Sequence, residues 1–407
     1  MYLERSMKDC WTRAGRQFPV LLLTGPRQVG KTTLLEHLRE DGRRYVTLDD
    51  PTLRTLAVDD PALFLQRFEP PVLIDEIQYA PQLLPLVKMR VDAQRRPGMF
   101  WLTGSQQFQL MQGISETLAG RVAILNLLGL SSRERHRQEL NVPPFLPTRA
   151  AVAEREGSAA RSDLNSLYND IWLGAFPSLT AGPIHDRDLF YSSYLQTYLQ
   201  RDVKDLAQVG NEMAFVRFLR ACAARTAQML NLSELARDAD VAVNTAKSWL
   251  SILQASFQVY LLQPYFSNLT RRLVKAPKLY FLDTGLAAYL TEWSSPETLA
   301  AGAMAGPMLE THVLCELLKS WWHRGKSPRL YYYRDRDGHE IDFLFLQDQV
   351  LHPAEVKKTA SPRREMAQPL AAVSGLKQPV GEGVLLCLCP QTVPLTQDVD
   401  AVPVGVI

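Results

Sequence analysis

The sequence predicts an α/β protein in three stretches: a parallel sheet covered by helices, a helical middle, and a separate mixed α/β unit. Three observations carry this reading. Over the first 130 residues short apolar runs alternate with amphipathic stretches, the pattern of strands buried on both faces and joined by crossover helices. Between about 163 and 257 the apolar residues recur at helical spacing. From Val259 onward strand-like runs return around one long helical segment.

The first sheet is expected from FPVLLLTG, RRYVTLDD, PPVLIDEI, GMFWLTGS and RVAILNLLGL. Residues 131–162 are rich in charge, Pro and Ala and read as a linker or exposed insertion. The middle holds an aromatic-rich piece, LFYSSYLQTYLQRDV, and ends in a helix pair. The last unit is expected from VYLLQPY, APKLYFLD, a helix over 308–322, RLYYYRD, EIDFLFL, VLHPAEVKK and GVLLCLCP. The boundaries that follow are 1–135, 136–162, 163–268 and 269–407.

A chain of 407 residues is long enough for about two to four such units. Hydrophobic residues at 46% and charged residues at 22% argue against wholesale disorder. A formal charge of +2 neither requires nor excludes a nucleic-acid partner, so placement of charge must decide. The five cysteines form no C-x-x-C pair and no zinc spacing, which suits a reduced, cytoplasmic setting. The N-terminal stretch lacks an apolar signal-peptide core and no run reaches 18 apolar residues, so no membrane association is expected.

GPRQVGKTT, residues 25–33, follows an apolar strand and opens a helix, matching G-x-x-x-x-G-K-[S/T] in the context that motif needs. The motif predicts the phosphate-binding loop of a P-loop NTPase, with a bland Gly-rich turn as the alternative. Gly25 and Gly30 let the amides of Arg27, Gln28, Val29 and Thr33 approach phosphate oxygens, with Pro26, which has no N–H, shaping the same loop at a helix N-terminus that favours anions. Lys31 reaches the β- and γ-phosphates, and the Thr32 hydroxyl is a ligand for Mg2+, so ATP with magnesium is the expected ligand. VLIDEI is an apolar strand ending in two acids. Asp75 is the candidate to hold the metal and Glu76 to polarise the attacking water, since phosphoryl transfer rests on positioning and charge neutralisation. Thr103 and Ser105 in WLTGS are candidate γ-phosphate sensors, or a simple turn. Arg121 is a candidate arginine finger, in cis or from a neighbour in a homo-oligomer, or a surface ion pair.

Taken together, GPRQVGKTTLL, VLIDEIQYAP, LTGSQQF and SETLAGRVAILNLLGLS resemble the AAA-type ATPases of the AAA_14 family, which carry a C-terminal region called DUF4143. The resemblance runs on through TYLQRDV, KLYFLDTGLAAYL, GPMLETHV, EIDFLF and EVKK, nearly the whole chain. One departure is LLGLS, where such proteins more often have Pro before Leu-Ser. It touches no catalytic position.

LNLSELARDADVAVNTAKSWLSILQASFQVYLLQPY has the outline of a helix-turn-helix followed by a wing. Ser233 is read as the cap of the first helix, with Leu235 and Ala236 inward. The turn spans 240–243, and the second helix starts at Asn244 or Thr245 with Trp249, Leu250 and Leu253 inward. Asn244, Thr245, Lys247 and Ser248 would face double-stranded DNA, supplemented by Arg271, Arg272, Lys275 and Lys278 on phosphates. One lysine on that helix is sparse, so a structural or protein-docking winged helix stands beside the DNA reading.

GHEIDFLFLQDQVLHPAEVKK reads as a hairpin. If Gln347 pairs with Val350, Asp342 faces Glu355 and Glu340 faces Lys357, with Leu344, Leu346 and Leu351 on their face and Ile341, Phe343, Phe345, Ala354 and Val356 on the other. Opposed carboxylates about 5 Å apart repel unless a cation relieves them. The D-x12-E-x-K spacing, with Glu310 upstream in a helix, resembles the PD-(D/E)xK nuclease superfamily and its restriction-endonuclease-like fold. The resemblance implies Asp342 and Glu355 as metal ligands, Glu310 as a supporting ligand and Lys357 as catalytic base or electrophile. The alternative is an ion-pair network, Glu340 with Lys357 and Asp342 with a nearby Arg such as Arg334. Two functions follow: an ATPase coupled to DNA, or a nucleotide-driven switch docking protein partners with an inactive nuclease-like unit.

Overall fold

The computed structural model describes residues 2–104, 117–157, 163–199, 211–266, 276–335 and 337–407. Its first sheet contains β1 (Val20–Thr24), β2 (Arg44–Thr47), β3 (Val72–Asp75), β4 (Phe100–Gly104) and β5 (Val122–Asn126) in the order β2-β3-β4-β1-β5, all parallel. Every residue of β1, β3 and β4 is buried, as central strands covered on both faces require. Alternate residues serve two cores: Leu21 and Leu23 pack on one face, Val20 and Leu22 on the other. Because β4 lies between β1 and β3, the carboxyl ends of these three strands converge on one crevice.

The middle is helical, with Leu164–Leu173, Arg187–Tyr198, Glu212–Ala224, Leu232–Ala239 and Val243–Ala255 as its main helices. A small antiparallel sheet closes it, with β7 (Val259–Leu262) and β6 (Gln228–Met229) on either side of β8 (Lys278–Phe281). The helix pair lies where expected and buries Leu235, Ala236, Trp249, Leu250 and Leu253. Its caps differ. Asn231, not Ser233, caps the first helix by accepting from the Glu234 amide, because Leu232 packs against the core and enters the helix. The second helix begins at Val243, after Asp240 turns the chain at φ +56°.

The third sheet is mixed: β13 (Val393–Pro394), β14 (Val399–Pro403), β12 (Gly383–Cys387), β11 (Val350–Val356), β10 (Glu340–Gln347) and β9 (Leu330–Arg334), in that spatial order. Neither β13 nor β14 was expected from the sequence, where PQTVPLTQDVDAVP shows no long apolar run. The 18-residue helix Ala305–Trp322 is buried around most of its circumference and joins the units. One continuous core takes Leu21 and Leu23 from the first sheet, Leu262 and Leu279 from the second, and Phe343 and Ala354 from the third.

The described part of residues 131–162 is not an exposed insertion. Phe145, Val152 and Arg155 are buried, and Arg155 donates to the carbonyl of Val406 at 2.9 Å and to that of Ile407, clasping the last residues of the chain. The apolar residues that anchor the segment are spaced too widely to show as a pattern in sequence. All five cysteines are buried and unpaired. Among the described residues no helix is long and apolar enough to cross a membrane.

Candidate functional site

The loop between β1 and the helix Lys31–Leu38 is shaped by backbone choices that its sequence permits. Gly25 adopts φ +147°, and a Cβ there would overlap the Leu127 carbonyl; Gly30 caps the helix at φ +87°. Gln28, at φ +61°, is held in the left-handed region without being glycine. Lys31 is buried, and its Nζ donates to the carbonyls of Gly25 at 3.0 Å and Pro26 at 2.7 Å, arched over the loop it belongs to. Thr32, one residue on, turns its Oγ1 to the Asp75 carboxylate at 3.0 and 3.2 Å.

Asp75 ends β3, 6% exposed, and gathers three hydroxyls: Thr32, Thr103 from the end of β4, and Tyr45 from β2 at 3.2 Å. Tyr45 was not anticipated, because only the parallel register of β2 on β3 brings it there. Burial and the neighbouring Asp75 charge push its phenol up to about 12, so it donates throughout the physiological range. Glu76 follows at φ +57°, which turns its side chain off the strand line. Its amide donates to Thr103 Oγ1 at 3.4 Å and its carboxylate accepts from Gln78. Burial raises the Glu76 pKa above the ordinary carboxylate range, while Lys31 opposes the shift. Thr103 therefore sits between the two acids, whereas Ser105 lies outside the described residues. Beside the helix start, a cavity of about 330 Å³ is lined by Tyr2, Arg5, Gly30, Thr33, Pro177 and Ser178.

Beneath the loop runs a buried charge network that sequence reading did not find. Arg5 donates to the carbonyls of Val29 at 2.8 Å and Leu128 at 2.7 Å and pairs with Glu134 at 3.1 Å. Glu134 also meets His323, at the end of the long helix, at 3.5 Å, and His323 Nε2 accepts from the Leu128 amide. Burial opposes ionisation of Glu134, but Arg5 and His323 outweigh it and hold the carboxyl far below its usual range. Apart from Val29, the partners are more than a hundred residues apart in sequence, so no local spacing announces them.

Arg121 does not reach the crevice. It precedes β5 at the end where Val122 pairs with Val20, about 13 Å of strand away from the loop end, and clasps Asp92 through Nε at 2.6 Å and a terminal nitrogen at 3.0 Å. In this structure Arg121 makes a surface ion pair with Asp92.

In the third sheet the register expected from the turn is found, from Gln347 opposite Val350 to Phe343 opposite Ala354, across Asp348 and Gln349, both at positive φ. Beyond it the pattern breaks. The β9 register shifts by one between Ile341 and Leu344, so Asp342 and Phe343 share one position opposite Tyr332. Ile341 consequently joins Leu344 and Leu351 in a side cluster, not Phe343 and Phe345 in the main core. Asp342 accepts from the Val356 amide at 3.0 Å and its own amide donates to Glu355 at 3.3 Å. Lys357 pairs with Glu355 at 2.6 Å. Glu340 does not meet Lys357. It pairs with Lys278 at 2.5 Å and Arg334 at 3.6 Å.

Lys278 is also the neighbour of Glu310 at 3.0 Å and Asp342 at 3.5 Å, and is 2% exposed, which rules it out as a phosphate contact on a DNA face. Arg271, Arg272 and Lys275 lie outside the described residues. Burial and Asp342 raise Glu310 to about 8 and Glu355 to about 7. Lys278 is raised as well: burial would lower it, but Glu310, Asp342 and Glu340 prevail.

A family model described as an AAA domain, AAA_14, matches residues 17–136; domains of unknown function DUF8612 and DUF4143 match 164–297 and 305–407. Uncharacterised proteins of Mycobacterium bovis and Mycobacterium tuberculosis are each 32% identical over 355 residues, covering 86% of this chain and 73% of theirs. The chain belongs to the AAA_14–DUF4143 family. Among solved structures, a Walker-type ATPase of Pyrococcus abyssi covers 71% of this chain and 96% of its own, at 14% identity and a TM-score of 0.44. RuvB of Thermotoga maritima covers 63% and 86%, at 17% identity and a TM-score of 0.27. In family terms the loop, Asp75, Glu76 and Thr103 all fall within the AAA_14 match, whereas Glu310, Asp342, Glu355 and Lys357 fall within DUF4143.

Proposed function

We propose that the AAA_14 part of this chain hydrolyses ATP with magnesium. The observation that carries this is the convergence of Lys31, Thr32, Asp75, Glu76 and Thr103 at the carboxyl ends of three adjacent parallel strands. The donor set fits magnesium: a hydroxyl and a carboxylate, both hard oxygens, stand 3.0 Å apart. Bound there, the ion would neutralise charge on the β- and γ-phosphates. Lys31 exchanges the Gly25 and Pro26 carbonyls for phosphate oxygens. Thr103 fixes the Glu76 backbone, and Glu76 orients water for in-line attack. The cavity between Tyr2 and Pro177 is the proposed place of the base, with Arg5 as its floor. Measuring phosphate release tests this: Lys31→Ala should abolish magnesium-dependent turnover, and normal turnover in that variant would end the proposal.

The same reading assigns the middle unit to partner docking. A helix pair followed by β7 and β8, with β6 completing the sheet, has the element order of a winged helix, and Asn244, Lys247 and Ser248 are exposed along its second helix. This supports duplex DNA as the partner to which ATP turnover is coupled. ATP turnover with and without duplex DNA decides: stimulation that fades with salt supports it. Turnover indifferent to DNA, with no DNA retained, favours a switch that docks protein.

A further inference from the structure

The residues expected to hold a divalent metal in the C-terminal unit do not fit one as they stand. The point closest to Glu310, Glu340 and Asp342 is taken by the Lys278 ammonium, at 3.0, 2.5 and 3.5 Å. A hard divalent ion needs several free oxygens at about 2.0–2.6 Å, and here most are committed. One Asp342 oxygen accepts from the Val356 amide and the other faces Lys278. One Glu310 oxygen, Oε1, accepts from both Lys278 and Tyr280, the latter at 2.5 Å. Glu355 is held by Lys357. An ion entering the cluster would stand against a buried cation with almost no water to screen the repulsion.

The ammonium has no easy way out. Lys278 opens β8, with its backbone paired to Leu262 on one side and Met229 on the other, so its side chain is delivered from the small sheet into the large one. Tyr280, two residues along the strand, reaches the same Glu310. The Tyr332 hydroxyl, from β9, donates back to the Ala276 carbonyl at 2.6 Å. The cluster therefore also ties the two sheets together.

We infer that Lys278 is a built-in counter-ion that keeps divalent metal out of the DUF4143 carboxylate cluster, so that this unit acts as an ion-paired latch and not as a metal-dependent nuclease. The inference deepens the ATPase reading by assigning the C-terminal unit no cleavage of its own, yet it stands on separate residues. Binding of Mn2+ by the full chain, counted by electron paramagnetic resonance, tests it. Wild type and Asp342→Asn should bind the same number of ions, whereas Lys278→Met should gain one site, lost again in the Lys278→Met/Asp342→Asn double variant. A site that disappears on Asp75→Asn belongs to the nucleotide crevice and is scored separately. An Asp342-dependent Mn2+ site in the wild type would overturn the inference, as would a folded Lys278→Met chain that gains none. If Lys278→Met does not fold, the comparison of wild type with Asp342→Asn still decides.

Discussion

At the scale of single residues, the proposed chemistry of the crevice rests on Glu76. Its backbone sits at φ +57°, a conformation that costs a non-glycine residue on the order of 1–3 kcal/mol and persists only where its surroundings enforce it. Thr103 and Gln78 do so, through the Glu76 amide and carboxylate. Burial raises its pKa, so the base form appears at higher pH than for an ordinary glutamate. The sign for stability follows: a carboxyl protonated more readily in the folded chain favours folding at low pH, and that contribution is lost as pH rises through the folded pKa. For activity the direction is reversed, since only the ionised form accepts a proton from water. We expect the acidic limb of the kcat/KM profile for ATP to lie above the usual carboxylate range; a limb near pH 4 would show Glu76 to be an ordinary exposed acid or not the base.

At the scale of elements, what could be read in advance separates from what could not by distance along the chain. The phosphate loop, the acids at the end of β3 and the hairpin register beside its turn are local, fixed by spacing within about twenty residues, and were legible. Tyr45, Arg5 and Lys278 act on partners 30 or more residues away, as in Tyr45–Asp75, Arg5–Glu134 and Lys278–Glu310, and only the assembled sheets bring them together. The misplacement of Ile341 has a different cause: a single extra residue in β10 breaks strict alternation, and nothing in EIDFLFL marks where. Arg121 stands at the end of β5 remote from the crevice because a strand has two ends, and its sequence neighbourhood does not say which one faces the phosphate loop. Among these long-range elements the Arg5, Glu134 and His323 connection is the one that joins the loop to the long helix. Glu134→Gln should strand the Arg5 charge in the interior and lower unfolding stability by about 3–5 kcal/mol, measured by urea denaturation. A loss below 1 kcal/mol would mean that the network is not what holds these elements together.

At the scale of the whole molecule, one apolar core runs through the three sheets, with the helix Ala305–Trp322 as its spine. Chains assembled from loosely joined units unfold in steps, because few contacts couple them. Here Arg155 clasps the C-terminal residues, His323 reaches the segment after β5, and Lys278 crosses from the small sheet to the large one. Calorimetry should therefore show a single unfolding transition that moves as a unit to higher temperature with ATP analogue and Mg2+. Separate transitions, only one of which responds to nucleotide, would contradict that coupling. In the proposed hydrolytic site Glu76 positions water while Lys31 and Thr32 bind nucleotide. The most direct measurement is steady-state ATP hydrolysis and ATP affinity for wild type and Glu76→Gln side by side. Turnover is expected to fall about 100-fold or more while affinity is retained; unchanged turnover in Glu76→Gln would contradict a water-positioning role for Glu76.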